Sequence, residues 1–481
     1  MIQGPLCVPA AVKGRSGALP VQSRTGNITS RETPGAESHN RGRHQSIQWV
    51  LRIHGGRTEG SEVSEFDAVI VGAGQAGLGI GYHLQASGLS FVILERGEIG
   101  ESWRSQRWDS FAVNTPNWIN ALPGSPYNGD DPDGFQLRDE LVSTFERYAV
   151  EQDLPVRLGT TVERVAADED SGGFLIEAVD QGGVEETLHA RNVVVASGMV
   201  QPLPRADLTE SFPAAVTHLR ASDYRSAGML PDGAVVVVGG GQSGCQIAED
   251  LIAAGRTVFL CTSRVARVPR RYRGRDAVAW ISEVGMFDQR VEDLEDPVMQ
   301  FAAQPQTSGV GPRGRTVSLQ ALQREGVHLM GRLVSVVDGV LTTDGGLADN
   351  IAFADEFSAE FKRNVDAYIE GHGLDAPDAE VDPADVPADP DVARRGLTTL
   401  DLDKAAVSAV IWCTGFRPNL GWLQVPVIDD TGRPVHTRGV SNVPGLYFLG
   451  FPWLHTRKSG IIYGVDEDAG HIAQTIGAIA R

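Results

Sequence analysis

The stretch Asp67-Ala68-Val69-Ile70-Val71-Gly72-Ala73-Gly74-Gln75-Ala76-Gly77 decides the fold. A buried-strand pattern runs into three glycines spaced Gly-x-Gly-x-x-Gly, and a helical pattern follows through Leu84. Each glycine answers a separate demand of a nucleotide-binding turn. Gly72 permits the tight strand-to-helix turn, Gly74 lets backbone approach a pyrophosphate, and Gly77 lets helix and strand pack closely. The phosphates then meet the positive helix end, with Gln75 and Ala76 beside them. Ser90–Glu95 (SFVILE) reads as the next strand, so the whole is one β-α-β unit.

Glu95, followed by Arg96, closes that second strand 18 positions after Gly77. A ribose hydroxyl needs a carboxylate acceptor at that place; the plainer alternative is a solvated strand end. A carboxylate there repels a 2′-phosphate, so this unit suits FAD or NAD and not NADP.

The pattern returns 167 residues later. Ala234–Val238 reads as a strand, Gly239-Gly240-Gly241-Gln242-Ser243-Gly244 as the turn, 243–254 as a helix and 256–261 as a strand. An internal repeat of this kind is stronger evidence than either turn alone. The position matching Glu95 is now Thr262, followed by Ser263 and Arg264 and then by Arg267, Arg270, Arg271, Arg273 and Arg275. A 2′-phosphate requires such a setting: no carboxylate, a hydroxyl, and a guanidinium for charge-assisted bonds. Ser263 and Arg264 are the candidates for that contact. The later arginines have the acids of 286–297 as alternative partners. The first unit is therefore expected to take FAD and the second NADPH.

The 481 residues allow two or three domains. With 42 basic and 62 acidic residues the net charge is −20, which argues against nucleic acid or an anionic membrane as partner. No run of about 20 apolar residues exists, so no membrane span is expected. Cys7, Cys245, Cys261 and Cys413 stand singly. Without a Cys-x-x-Cys pair, neither a zinc site nor a dithiol motif is expected, and the usage fits a reducing cytoplasm. The histidines are isolated, so no metal is expected.

The fold class that follows is α/β, with two Rossmann-like dinucleotide-binding domains, the NADPH domain inserted into the FAD domain. Residues 1–62 read as a disordered or mis-annotated extension, a transit peptide being the other reading. Residues 63–200 and 408–481 are assigned to the FAD-binding domain and 201–407 to the NADPH-binding domain. The segment 374–391 reads as an exposed acidic, Pro-rich loop, and the chain ends in a helix over 466–480. Oligomeric state is open, though the apolar content of 277–286 suits an interface.

From about Asp67 to His471 the chain resembles the two-dinucleotide-binding-domain flavoproteins. More closely, it resembles the bacterial flavin-containing monooxygenase-like oxidoreductases, a group that also goes under the label of flavoproteins involved in potassium transport. Four segments carry the resemblance. Gly100-Glu101-Ser102-Trp103-Arg104 with Arg107-Trp108-Asp109-Ser110 and Asn114-Thr115-Pro116 resembles the stretch bordering the flavin. Ala196-Ser197-Gly198 and Cys413-Thr414-Gly415-Phe416-Arg417-Pro418 resemble the two crossings between the domains. The stretch 445–450, ending in Gly450, resembles the closing FAD motif, with Phe451 where an Asp is usual. The family fingerprint Phe-x-Gly-x-x-x-His-x-x-x-(Tyr/Phe) is degraded: Phe212 and His218 are in place, Ala214 replaces the glycine, and Tyr224 falls two residues late.

The resemblance implies an enzyme in which NADPH reduces FAD and O₂ then forms a C4a-(hydro)peroxyflavin that oxygenates a small molecule. It implies FAD contacts at Trp103, Arg104 and Trp108 and cofactor contacts at Thr414, Gly415 and Gly450. Trp118 is a further candidate wall. It makes Asn114 the active-site asparagine, whose amide both donates and accepts; capping of the turn before Pro116 is the alternative. It also suggests that Arg457-Lys458-Ser459-Gly460 faces the reduced flavin's negative charge. Two other functions fit the same motifs: a reductase passing electrons to a quinone or protein, and a nucleotide-sensing regulator.

Overall fold

The computed structural model describes residues 64–202, 206–296, 300, 302–311, 313–386 and 390–479. The expectations for 1–62 lie outside the described residues. Two parallel β-α-β units form around the glycine turns. In the first, strand Ser64–Val71 leads into helix Gln75–Ala86 and on to strand Phe91–Leu94. In the second, Ala234–Val238 leads into Gln242–Ala253 and on to Val258–Cys261. Val69, Ile70, Val235, Val236 and Val237 are fully buried. Such unbroken apolar runs belong to parallel strands covered on both faces.

Among the described residues the first sheet has nine strands. Its path runs His436–Thr437, Val440–Ser441, Leu446–Phe448, Glu185–Val195, Ser64–Val71, Phe91–Leu94 and Val156–Arg157. Thr161–Ala167 and Phe174–Val179 extend it antiparallel from Glu185–Val195. The second sheet is wholly parallel, in the order His328–Met330, Val258–Cys261, Ala234–Val238, Val407–Trp412 and Thr217–Arg220. Val407–Trp412 therefore lies inside the second sheet, between Ala234–Val238 and Thr217–Arg220, so the boundary expected at 408 cuts through a strand of that sheet.

The two sheets repeat one construction. The strand beside each glycine turn comes from later in the chain, Glu185–Val195 in one and Val407–Trp412 in the other. A Cβ on Gly72 would lie 2.7 Å from the Ala196 carbonyl oxygen; one on Gly239 would lie 2.3 Å from that of Cys413. Both glycines have positive φ, +108° and +119°. Each turn is thus pressed against the exit of its neighbouring strand, where no side chain fits. The two crossings also pair with each other, Gln201–Pro202 running antiparallel to Phe416–Arg417.

The closing helix Val465–Ile479 buries Ala469, Ile472 and Ile476 and packs on Gln75–Ala86. The apolar stretch around 277–286 is covered within the chain. Ala277 and Trp280 pack with Tyr272 and Phe361, and Val278 packs with Ile119 and Phe287.

Most described residues of the acidic segment 374–391 are exposed, with Asp385 the buried exception. Asp385, only 6% exposed, accepts from the Ser358 hydroxyl at 2.7 Å and pairs with Arg267 and Lys362. Arg324 Nη2 donates to the Pro383 carbonyl at 2.7 Å. Asp385 thus shares buried Arg267 with Asp355, which offsets part of the cost of burying that charge.

Candidate functional site

A cavity of about 400 Å³ opens at the carboxyl end of the first sheet's central strands, where open α/β sheets hold their ligands. Gly72, Gly74, Gln75 and Ala76 form one wall, and Glu95 with Arg96 another. Ala196, Ser197 and Gly198 of the first crossing, Gly450, Gly460 and Trp103 complete the ring. A Cβ on Gly74 would meet nothing within 4 Å, so the absent side chain leaves open space rather than room for packing. Gly77 has the opposite role: a Cβ there would lie 1.8 Å from the Gly72 carbonyl oxygen.

Glu95 is 6% exposed. Its Oε2 accepts the Ala73 N–H at 2.8 Å and its Oε1 the Gly97 N–H at 3.0 Å. Burial raises its pKa above the usual glutamate value, while the two backbone bonds pull the other way. Each oxygen keeps a lone pair toward the cavity, where a ribose hydroxyl can donate. Open space at Gly74, a helix N-terminus and a braced carboxylate together fit the adenosine and pyrophosphate of FAD.

Trp103 Nε1 donates to Gln75 Oε1 at 3.0 Å, tying the segment after Gly100 to the glycine turn. Arg107 also lines the cavity, its guanidinium 5.2 Å from the Trp103 ring and 5.7 Å from that of Phe111. Burial pushes its pKa down to about 10, so it stays charged at neutral pH. Arg107 was not among the cofactor contacts expected from sequence; of its neighbours that were, Trp103 lines the cavity and Arg104 and Trp108 do not. Arg104 pairs with Glu98 and Glu146 at the surface. Trp108, 3% exposed, packs edge-on against Phe111 in the core. Trp118 packs with Tyr463 outside this cavity. Arg457 bonds Gln289 at 2.7 Å, and Lys458 pairs with Asp288 and Glu467 at 2.6 and 2.8 Å. Those cations answer neighbouring polar groups, and Gly460 is the member of their segment that lines the cavity.

The second turn repeats the first in its backbone. A Cβ on Gly241 would meet nothing within 4 Å, and one on Gly244 would lie 1.8 Å from the Gly239 carbonyl oxygen. Gln242 accepts the Thr307 N–H at 3.2 Å and donates to the Thr307 carbonyl, fixing the first helical residue beside Ser243. Thr262 does not replace Glu95 as a ligand group. Its buried hydroxyl donates to the Met330 carbonyl at 2.7 Å and accepts from Asn350 Nδ2 at 3.0 Å. The next two residues are the more accessible ones, Ser263 partly exposed and Arg264 exposed. Arg264 lies 4.5 Å over the Phe353 ring and has no ion pair among the described residues.

Four of the other arginines of this cluster have acidic partners that lie outside 286–297. Arg267 pairs with Asp355 and Asp385, Arg270 with Asp276, Arg273 with Asp366, and Arg275 with Glu283. Arg271 bonds only the Arg313 carbonyl at 3.5 Å and, like Arg264, has no ion pair among the described residues; of the two, Arg264 is the one just past the strand end that matches Glu95.

Asn114 lies outside the 400 Å³ cavity, against the second unit. Its Oδ1 accepts from Gln246 Nε2 at 2.7 Å, and its carbonyl accepts from Arg270 Nη1 at 2.8 Å. These are long-range bonds, so capping of the local turn is not what the side chain does. Thr414 and Gly415 sit on the return crossing, also outside that cavity, Gly415 at φ +96°. Phe212 and His218 pack edge-on, and His218 Nδ1 accepts from Trp412 Nε1 at 3.0 Å. Tyr224 donates to Asp250 Oδ2 at 2.5 Å. The fingerprint residues hold the second unit together. Cys245 and Cys261 are buried thiols, and burial pushes the Cys261 pKa up to about 12. Among the described residues no cluster of His, Cys, Asp and Glu is placed to hold a metal, and no helix is long and apolar enough to cross a membrane.

Two dinucleotide-binding folds of opposite charge character, joined by paired crossings, define a pyridine-nucleotide-dependent flavoprotein oxidoreductase. Residues 69–286 match the family of pyridine nucleotide-disulphide oxidoreductases. The chain is 30% identical over 414 residues to an uncharacterized CzcO-like oxidoreductase of Geobacillus kaustophilus (strain HTA426), spanning 85% of this chain and 98% of the relative. It is 30% identical over 429 residues to the probable indole-3-pyruvate monooxygenase YUCCA3 of Arabidopsis thaliana, spanning 85% and 86%. A flavin-containing monooxygenase from Stenotrophomonas maltophilia has the same fold, with a TM-score of 0.58 at 21% identity over 87% of this chain and all of the other. The chain belongs to the flavin monooxygenase-like family of FAD- and NAD(P)-dependent oxidoreductases that includes the CzcO-like enzymes.

Proposed function

We propose that this enzyme is an NADPH-dependent flavin monooxygenase that uses O₂ to oxygenate a small molecule. The observation that carries the reading is the contrast between Glu95 and Arg264. One unit presents a braced acid to a ribose; the other presents an unneutralised guanidinium at the equivalent strand end. Two dinucleotides of different type are then held at once, as a cycle of reduction by one and oxygen use by the other requires.

FAD, when bound, supplies hydride acceptance and the activation of O₂. The protein's own groups hold and shield. Backbone N–H groups of the first helix take the pyrophosphate, and Glu95 takes the ribose. Ser263 and Arg264 take the 2′-phosphate of NADPH through charge-assisted bonds. The Trp103–Gln75 bond keeps one wall of the cavity closed to water. Arg107 places a positive charge beside that wall, where it would stabilise negative charge on a bound cofactor. Asn114, its Oδ1 engaged by Gln246, would keep Nδ2 free to donate a hydrogen bond.

The test is oxygen accounting with ¹⁸O₂. Purified FAD-loaded enzyme is given NADPH and a panel of small amines, sulfides and ketones, and product, peroxide and acceptor reduction are measured together. One ¹⁸O atom in an organic product per NADPH is the expected result. Quinone or protein reduction that proceeds without O₂, with no labelled product, would replace this reading with that of a reductase.

A further inference from the structure

The loop bearing Asn114 belongs in sequence to the first unit, yet it is clamped by the second. Three contacts hold it. Gln246, on the helix that follows the second glycine turn, donates to Asn114 Oδ1 at 2.7 Å. Arg270 donates to the Asn114 carbonyl at 2.8 Å and is itself fixed by its pair with Asp276. Gly309 approaches so closely that a Cβ there would lie 2.0 Å from the Val113 carbonyl oxygen. Gly309 follows Thr307, whose backbone bonds Gln242 of the second turn. Both ends of the second turn's first helical stretch thus reach the Asn114 loop.

Gln246 is 2% exposed, and its Oε1 is buried without a partner. An unpaired buried acceptor is costly, so the side chain is held for what its donor does. By donating to Oδ1, it engages the one acceptor of Asn114. Among the described residues the Asn114 Nδ2 bonds no protein group, so the amide is left facing outward as a donor only.

We propose that Gln246 is a positioning residue that fixes the orientation of the Asn114 amide and couples it to the pyridine-nucleotide unit. This rests on the monooxygenase reading. A helix seated on its bound dinucleotide holds Gln246, and Gln246 holds Asn114 as a hydrogen-bond donor. Substrate oxygenation in preference to peroxide release then depends on a residue that touches neither cofactor.

The experiment compares Gln246→Met, Gln246→Glu, Asn114→Ala and the Gln246→Met/Asn114→Ala double variant as FAD-loaded enzymes. The readouts are the fraction of NADPH oxidised that appears as hydrogen peroxide, and the NADP⁺ dissociation constant from the change in flavin absorbance. Gln246→Met should raise the peroxide fraction about five- to tenfold, the effect of one hydrogen bond, with NADP⁺ affinity changed less than about twofold. Gln246→Glu, which cannot donate and so turns the Asn114 amide round, should do no better than Gln246→Met. The double variant should match Asn114→Ala alone, because the first residue acts through the second. An unchanged peroxide fraction in Gln246→Met, rescue by Gln246→Glu, or multiplying effects in the double variant would each overturn the inference. Wild-type enzyme that forms no oxygenated product at all would instead remove the monooxygenase reading on which it rests.

Discussion

The Ala73 N–H points at Glu95 Oε2 across 2.8 Å, so the acid that ends one strand braces the glycine turn that ends its neighbour. Glu95→Gln places an amide NH₂ where an acceptor is needed for Ala73 or Gly97. FAD affinity should fall about 10- to 100-fold, the range for a hydrogen bond to a charged group, measured as flavin lost on dialysis. Acid should act similarly on the wild type. Because burial raises the pKa of this carboxyl, FAD retention should fail on acidification earlier than an ordinary glutamate would dictate. Glu95→Gln should lack that acid limb; a shared limb would place the titration elsewhere.

Arg264→Ala should raise the NADPH KM about 10- to 100-fold and leave the NADH value nearly unchanged. Steady-state kinetics with both nucleotides decide it. Equal changes would mean that the guanidinium serves adenine or protein packing, not the 2′-phosphate.

The glycines of each turn divide into those that serve the fold and those that serve the ligand. Gly77→Ala and Gly244→Ala put a Cβ 1.8 Å from a carbonyl oxygen, and neither variant should give folded enzyme. Gly74→Ala and Gly241→Ala meet open space at φ −82° and −80°. Both should keep a wild-type circular dichroism spectrum, the first losing FAD and the second losing NADPH binding. Normal cofactor binding by Gly74→Ala would put the pyrophosphate elsewhere.

Glu249 is buried on the helix of the second turn, 2.8 Å from Arg315, and burial pushes its pKa up to about 7. A raised folded-state pKa means that the folded chain holds this proton more tightly than the unfolded one. Its stabilising contribution is therefore full below the ordinary value near 4.5 and is lost as the pH rises through 7. Gln at this site mimics the protonated acid and keeps an acceptor for Arg315. The wild type and Glu249→Gln should melt alike near pH 5, and the variant should become the more stable by pH 8, by about 3 kcal/mol at most. Parallel melting curves across that range would show that Glu249 does not titrate there.

The repeat of two glycine turns was legible because each glycine answers a local steric demand. A Cβ at Gly77 or Gly244 collides within its own turn, and no distant partner is needed to predict that. The replacement of Glu95 by Thr262-Ser263-Arg264 in the repeat is visible in the residues themselves, at a matched spacing from each turn. What escaped was set by contacts across long sequence separations. Arg104 and Arg107 look alike in the chain; which one enters the cavity depends on Glu98, Glu146, Phe111 and Phe416, and composition carries no trace of that. Asp385 looked like part of a solvated acidic run until Arg267, 118 residues earlier, gave it a buried partner. Ala409–Cys413 reads as an apolar strand from sequence, but the sheet that Val407–Trp412 joins is decided by its neighbours Ala234–Val238 and Thr217–Arg220.

The antiparallel pairing of Gln201–Pro202 with Phe416–Arg417 brings the two ends of everything between them side by side. A segment whose ends already touch can be lifted out of its host and replaced without stretching what remains, and closing the gap carries little entropic penalty. Evolution is then free to treat the inner segment as a cassette. A lineage can change which reductant is read, or how the Asn114 loop is gripped, while the flavin cradle around Glu95 stays untouched.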